Sequence, residues 1–346
     1  MRAAVTSGPG SMALQDLQEP VAGRGQAVIR VDVVGLCGSD IHLFRGDHPY
    51  ATFPQVQGHE FSGTIVAFGP GYEGPLSVGE SVAVEPLLPC GACFACRRGH
   101  PNCCAQLAVM GAHVGGALAE RMVVPISCCY PVGDLSPELA ALVEPLSIGL
   151  QAVVRSGAAE SDQVLVLGAG PIGQAVTVSA ADRGAEVMVV DRLENRLELA
   201  TRLGASRVLD VTVAPLEETV ASWTGGDGPA IVIDATGVPG LIRKATEVVA
   251  PSGTVVVVGI SMSDVALSVL DFTRKELNVL GSRNNAGLFP DSVQLVRRSQ
   301  GRVAQLITHR FSFEEAPRAM ELLRDHPEQT EKVLVMVDEP TRREPQ

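Results

Sequence analysis

Aromatic side chains are scarce, 4% of 346 residues with a single tryptophan, which leaves little material for a sugar-stacking platform or a large apolar alcohol pocket. Basic residues are also in deficit, 27 Lys and Arg against 39 Asp and Glu for a net charge of -12. That balance argues against a nucleic-acid partner, because phosphate-backbone affinity depends on Lys and Arg neutralising phosphates. Long apolar runs are missing too. The stretch from Leu139 to Val154 is broken by Glu144, Pro145 and Gln151 and falls short of a membrane span, so no membrane partner is expected. The opening MRAAVTSGPG has none of the basic start, apolar stretch and small-residue cleavage site of a signal peptide, and a cytoplasmic protein is expected. No repeat or low-complexity block is present, and 46% hydrophobic with 19% charged residues is a globular balance. The length exceeds what one hydrophobic core usually serves, so two domains are expected.

Against these absences stand eight cysteines. Cys90, Cys93, Cys96 and Cys104 punctuate one glycine-rich loop, with two residues between the first three and seven before the last. Short gaps let a single loop fold around an ion, and four thiolates at about 2.3 Å make a closed tetrahedral zinc site. Disulfides and plain apolar packing are the competing readings, and neither explains the spacing. No basic helix adjoins the loop, which weakens the zinc-finger reading further, although an acidic chain can still hide a local basic patch. Cys37, Cys103, Cys128 and Cys129 lie outside the cluster and suggest no disulfide framework.

From Gln163 the chain reads QVLVLGAGPIGQAVTVSAADRGAEVMVVD, a strand, glycine turn, helix and second strand. Gly168 suits the tight turn, Gly170 lets the backbone approach a pyrophosphate, and Gly173 permits close helix packing. Asp191 ends the second strand and favours NAD, since a carboxylate accepts from ribose hydroxyls and repels a 2′-phosphate. Arg192 beside it tempers that preference for NAD over NADP. RVLD at 207–210, AIVIDATG at 230–237, GTVVVVGI at 253–260 and ELNVLGSRN from Glu276 continue the alternation of buried strands and helices. A doubly wound parallel-sheet domain is therefore expected at 154–283, with boundaries uncertain by several residues. The segments AVIRVDVVGLC, SGTIVAFG and GESVAVEP before it predict a β-rich domain. Helices near 291–299 and 313–324, then the strand KVLVMV at 332–337, predict a return to that first domain.

The first domain holds a second, scattered set of ligand types: Cys37 in GLCGSDIH, His59 and Glu60 in GHE, and Glu144 in VEPLSIG. Taken singly each has an ordinary role, a core thiol, a hydrogen-bonded imidazole or a helix cap. Together with the cysteine loop and GAGPIG they resemble the zinc-dependent medium-chain alcohol dehydrogenase family, over nearly the whole chain. GHEFSGTIVAFG resembles its zinc signature. The glutamate in the EP motif resembles the sorbitol and threonine dehydrogenase branch, where classical alcohol dehydrogenases carry a cysteine.

The resemblance implies an α/β chain with a GroES-like catalytic domain over 1–153 and 284–346, a structural-zinc lobe at about 86–108, and a Rossmann domain over 154–283. It implies two zinc ions per chain. Cys37 and His59 would hold the catalytic one, with Glu60 and Glu144 binding directly or through water; which carboxylate binds directly stays open. Zinc there would lower the pKa of a bound alcohol, and hydride would pass to NAD+. Ser39 and His42 resemble the family's proton relay, with a turn hydroxyl and a surface histidine as the ordinary readings. Asp40 would order their loop. Pro171, Ile172, Arg196, Gly259 and Ser282 would join Gly168, Gly170, Gly173, Asp191 and Arg192 in binding the cofactor. A homodimer or homotetramer, joined through Rossmann edge strands, is implied.

For the substrate, NCCAQLAVMGAHVGG at 102–116, LVEPLSIG at 142–149, and the pair GSRN and THRF resemble L-galactonate and L-gulonate 5-dehydrogenases. A small polyol or sugar acid is expected. Arg283 is a candidate for a bidentate grip on a substrate carboxylate, or equally for a cofactor or interdomain contact. His113 is a candidate for a sugar hydroxyl, or for shaping its own loop. L-threonine and neutral polyols such as sorbitol are the alternative substrates. A noncatalytic, crystallin-like nucleotide-binding relative is the alternative outside enzymes.

Overall fold

In the computed structural model, which describes residues 1–48 and 51–337, the Val- and Ile-rich runs between 163 and 281 form one six-stranded parallel sheet. Its strands, in spatial order, are Arg207–Asp210, Glu186–Asp191, Gln163–Leu167, Ile231–Asp234, Thr254–Val257 and Asn278–Gly281. Chain order reverses at Gln163–Leu167, and ligands of such sheets bind at the carboxyl ends of the strands beside that switch. Both faces are buried. Val164, Val166, Val189 and Ile233 pack on one side, Leu165, Leu167, Val190 and Val232 on the other, which explains why the runs are continuous rather than alternating.

The chain divides into two compact units, Pro145–Leu306 around this sheet and Met1–Glu144 with the chain from Ile307 onward. These limits are wider than 154–283 because helices Val143–Ser156 and Phe289–Arg298 bury apolar faces that a count of strands does not include.

The other unit is built on a seven-stranded sheet whose path runs Cys129–Pro131, Ser81–Val84, Glu60–Phe68, Gln26–Leu36, Lys332–Met336 and Ile307–Ser312, with Arg121–Pro125 also pairing Gln26–Leu36. Its register decides which side chains meet. Gly35 stands opposite Glu60 on one side and opposite Leu334 on the other. Two irregularities in the pairing with Glu60–Phe68, at Val28/Ile29 and Val31/Val33, set that alignment. The segment 313–324 begins as a 3-10 turn, Phe313–Glu315, before helix Ala316–Asp325. A hairpin of Arg2–Gly8 and Ser11–Asp16 opens the chain, an element the sequence did not suggest. Among the described residues no helix is long and apolar enough to cross a membrane.

Candidate metal centres and nucleotide cradle

The cysteine loop lies between the paired strands Leu87–Leu88 and Ala108–Val109. Cys90, Cys93, Cys96 and Cys104 bring their sulfurs within 4.8 Å of one another, and Cys93 and Cys96 approach to 3.5 Å. Tetrahedral thiolates at ~2.3 Å from one ion stand about 3.8 Å apart, so the cluster fits zinc. Backbone amides already point at it: Cys90 N–H donates to Cys104 Sγ at 3.2 Å, Cys93 N–H to Cys90 Sγ at 3.3 Å and Gln106 N–H to Cys104 Sγ at 3.3 Å. Amides of Cys96 and Ala105 pull the Cys93 thiol down to about 6, whereas desolvation and the neighbouring sulfurs push Cys96 up to about 12. Crowded thiols split in this way are the charge distribution a divalent cation would even out. Cys103 is exposed and outside the group.

Three of the scattered set, Cys37, His59 and Glu60, also converge, while Glu144 lies outside that close group. Helix Gly38–Arg45 starts on Cys37 as its N-cap, and Asp40 Oδ2 accepts from Cys37 N–H at 2.9 Å. Two glycines shape the approach of the next ligands. Gly58 holds φ +95° where a Cβ would fall 2.8 Å from Val34, so only glycine turns the chain into His59. Gly35, bare opposite Glu60, leaves space where a Cβ would sit 2.6 Å from Glu60 Oε2. Cys37 Sγ, a ring nitrogen of His59 and a carboxylate oxygen of Glu60 thereby lie within 4.8 Å of one another. Glu60 Oε2 is buried with no hydrogen-bond partner among the described residues, which suits a cation.

Orientation comes from Asp40, fully buried. Its Oδ1 lies 3.4 Å from His59 Nδ1, long for a hydrogen bond but short for a charge contact, and 3.4 Å from Gly58 N–H. That leaves His59 Nε2 facing Ser39 Oγ at 3.4 Å. Burial opposes the imidazolium, but Asp40 and Cys37 hold the His59 pKa well above its ordinary value. Metal and proton thus compete for the ring. Behind Asp40, Gln57 Nε2 donates to its carbonyl at 2.7 Å, and Thr6 Oγ donates to Gln57 Oε1 at 2.7 Å.

Glu144 is buried in the first turn of Val143–Ser156. Desolvation, with Glu60 adding to it, raises its carboxyl to about 7 against the pull of His59 and Lys332. Lys332 was absent from the candidates read from the sequence. It forms a buried ion pair with Glu60, and Glu60, Cys37 and Glu144 hold its ammonium above its ordinary value despite desolvation. A lysine opening the apolar run KVLVMV was the available signal.

Two other candidates, His42 and His113, lie at the surface. His42 is exposed and its Nδ1 meets Asp47 at 2.9 Å. His113, also exposed, accepts from Val109 N–H at 3.2 Å through Nδ1, a contact within its own loop.

In the second unit, helix Pro171–Asp182 begins on Gly170 with Pro171 in its first turn and Ile172 following. Gly173 is demanded by the protein itself, since a Cβ would meet Gly168 O at 1.8 Å. Gly168 holds φ +94°. Gly170 is different: a Cβ there would meet nothing nearer than Arg196 at 3.7 Å, so its bareness fits a ligand's close approach rather than internal packing. Asp191 Oδ2 accepts from Ala169 N–H at 2.7 Å and Oδ1 from Arg192 N–H at 2.7 Å, bracing the glycine turn as well as closing its strand. Gly259 packs against Gly237, where a Cβ would lie 1.9 Å from the amide nitrogen. Ser282 follows the last strand, its Oγ buried with no hydrogen-bond partner among the described residues. Arg283 beside it is exposed. An orphan hydroxyl at a strand's carboxyl end and an open glycine turn at a helix N-terminus fit a dinucleotide.

Comparison with known proteins agrees with both halves. Residues 23–134 match the alcohol dehydrogenase GroES-like domain, and residues 171–298 match zinc-binding dehydrogenase. L-galactonate-5-dehydrogenase of Escherichia coli K12 is 35% identical over 318 residues, covering 90% of this chain and 92% of that protein. An alcohol dehydrogenase of E. coli CFT073, rspB, solved with NADH, superposes with TM-score 0.91 at 34% identity over 97% of this chain and 99% of its own. A Sinorhizobium meliloti 1021 protein solved with NADP gives TM-score 0.90 at 29% identity over 97% and 99% of the two chains. The chain belongs to the zinc-type medium-chain alcohol dehydrogenase family of oxidoreductases.

Proposed function

We propose that the protein is a zinc-dependent, NAD-linked dehydrogenase interconverting a secondary alcohol and a ketone on a polyol or sugar acid of the L-galactonate or L-gulonate kind. The observation that carries the reaction class is the convergence of Cys37, His59 and Glu60 donor atoms within 4.8 Å. Zinc held there by Cys37 and His59, with Glu60 or Glu144 as a further ligand, would supply the Lewis acidity that makes an alcohol proton labile. Ser39, whose Oγ lies 3.4 Å from His59 Nε2, would receive that proton, and His42, exposed on the same helix, would pass it to solvent. Cys90, Cys93, Cys96 and Cys104 hold a second zinc that organises their lobe.

The sugar-acid assignment rests on the E. coli L-galactonate-5-dehydrogenase match and on Arg283, whose planar fork suits a carboxylate. A panel of aldonates, polyols and L-threonine, followed by NADH absorbance, tests it. Aldonates should give the highest kcat/KM, and Arg283→Gln should raise their KM about tenfold or more, the worth of a charge-assisted pair. L-threonine outperforming every aldonate would remove the sugar-acid conclusion.

NAD is the proposed coenzyme because the Asp191 carboxylate closes its strand beside the glycine turn. Asp191→Asn keeps one of the two acceptor oxygens that take those amides and removes the charge facing a 2′-phosphate. The NADP-to-NAD ratio of kcat/KM should rise about tenfold, equivalent to ~1.4 kcal/mol; an unchanged ratio would assign Asp191 to bracing alone.

A homodimer or homotetramer is proposed. Asn278–Gly281 is an edge strand, and Ile260, Met262, Val269 and Leu270 in the same unit are exposed, an apolar surface of the kind that partners cover. The cytoplasm is the proposed compartment, since thiolate zinc sites need reduced cysteines.

A further inference from the structure

Lys332 takes no part in the chemistry above, yet its side chain is only 2% exposed and its charge faces Glu60, Cys37 and Glu144 together. A buried ammonium is unfavourable unless its charge is answered, and strand register answers it. The strand carrying Lys332 pairs Val333 with Leu36, so Lys332 continues alongside the Cys37 end of the central strand. Glu60 reaches the same point from the other side, opposite Gly35, through space that a Cβ on Gly35 would fill. Glu60 Oε1 takes the ammonium directly. Its Oε2 has no hydrogen-bond partner among the described residues, and the carboxylate belongs to the same close group as Cys37 and His59. One carboxylate is thus shared between a cation the chain supplies and a cation it would bind.

We propose that Lys332 is a positioning residue that competes with the metal for Glu60, holding this carboxylate in reserve so that Cys37, His59 and Glu144 leave one coordination position open for the alcohol. The inference rests on the assignment of Cys37 and His59 to a zinc site. Without the ammonium, a carboxylate 1% exposed has the metal as its remaining strong partner. It would then turn to the metal in place of the alcohol. Removing a positive charge beside a dication acts in the same direction. Lys332 therefore weakens metal retention and preserves turnover, the opposite of what a purely structural lysine does.

Zinc release to a chromogenic chelator tests this, with the phase missing from Cys37→Ser assigned to the site. In Lys332→Met that phase should slow about tenfold, within the range by which groups behind the ligands tune metal affinity. kcat should fall while the KM for NAD+ stays unchanged. Lys332→Arg should restore both parental values, and Glu60→Gln combined with Lys332→Met should return zinc release to the parental rate. Release from folded Lys332→Met as fast as from the parent, or faster, would overturn the inference and leave the zinc site standing. Should that variant not fold, Lys332→Gln, which keeps a hydrogen-bond donor on a shorter stem and loses the charge, reads the same phase with the same two outcomes. Absence of the phase from the parent would overturn the zinc assignment and this inference with it.

Discussion

Cys104→Ser should release the lobe's zinc and lower Tm on the order of 10 °C, whereas Cys103→Ser should leave both metals and the melting curve near the parent's. The two cysteines are adjacent, but Cys104 is buried and Cys103 exposed, and the close group of sulfurs contains Cys104 alone of the pair. The lobe has little else to hold it. Its apolar cluster consists of Leu87, Cys104 and Leu107, with Cys93, Cys96 and Val109 packed against them, far below what an independent core needs. Metal ligation is folding free energy in such a segment. A loss of a few kcal/mol, at roughly 2 °C or more per kcal/mol, gives the expected shift. Differential scanning calorimetry with zinc analysis of the same samples checks it; equal zinc loss from the two variants would contradict the assignment of Cys104.

The second large effect is expected at Asp40, which orders the reactive centre from behind. Its Oδ2 accepts from Cys37 N–H at 2.9 Å, and its Oδ1 lies 3.4 Å from both Gly58 N–H and His59 Nδ1. One carboxylate thereby sets the backbone of one ligand and the ring of another. Asp40→Ala leaves these groups unanswered at a fully buried position. Affinity for the Cys37-site zinc should fall about 10- to 100-fold, with kcat/KM falling in step at limiting zinc. Zinc in the cysteine lobe should remain. Zinc titration of the apo variant, with activity measured across the titration, separates the two; unchanged affinity would reduce Asp40 to a helix cap.

Legibility in the sequence depends on how local each feature is. The parallel strands were readable because most are short apolar runs of Val, Leu and Ile, and all six expected segments form them. The cysteine cluster was readable because its ligands are close in the chain. The surroundings of Glu60 were not. Its meeting with Lys332 depends on register across three strands, and two irregularities in the pairing of Gln26–Leu36 with Glu60–Phe68 shift that register without a mark in the residue types. Asp40 looked like a loop-ordering residue, and it is one; that the same carboxylate also faces His59 depends on residues far along the chain, Gln57 and Gly58, meeting Asp40. The opening hairpin left no clear signal because Arg2–Gly8 pairs mainly with its own neighbour and lies against residues far along the chain, Leu118 and Glu120 among them.

The proposed function assigns two separate metal centres, one to the reaction and one to the cysteine lobe, and zinc analysis of freshly purified parent, Cys104→Ser and Cys37→Ser tests them most directly. The parent should carry about two zinc ions per chain. Cys37→Ser should keep the lobe's ion and the parental Tm while losing NAD+ reduction on every alcohol tried. One zinc or none in the parent, or undiminished turnover in Cys37→Ser, would contradict the two-centre assignment.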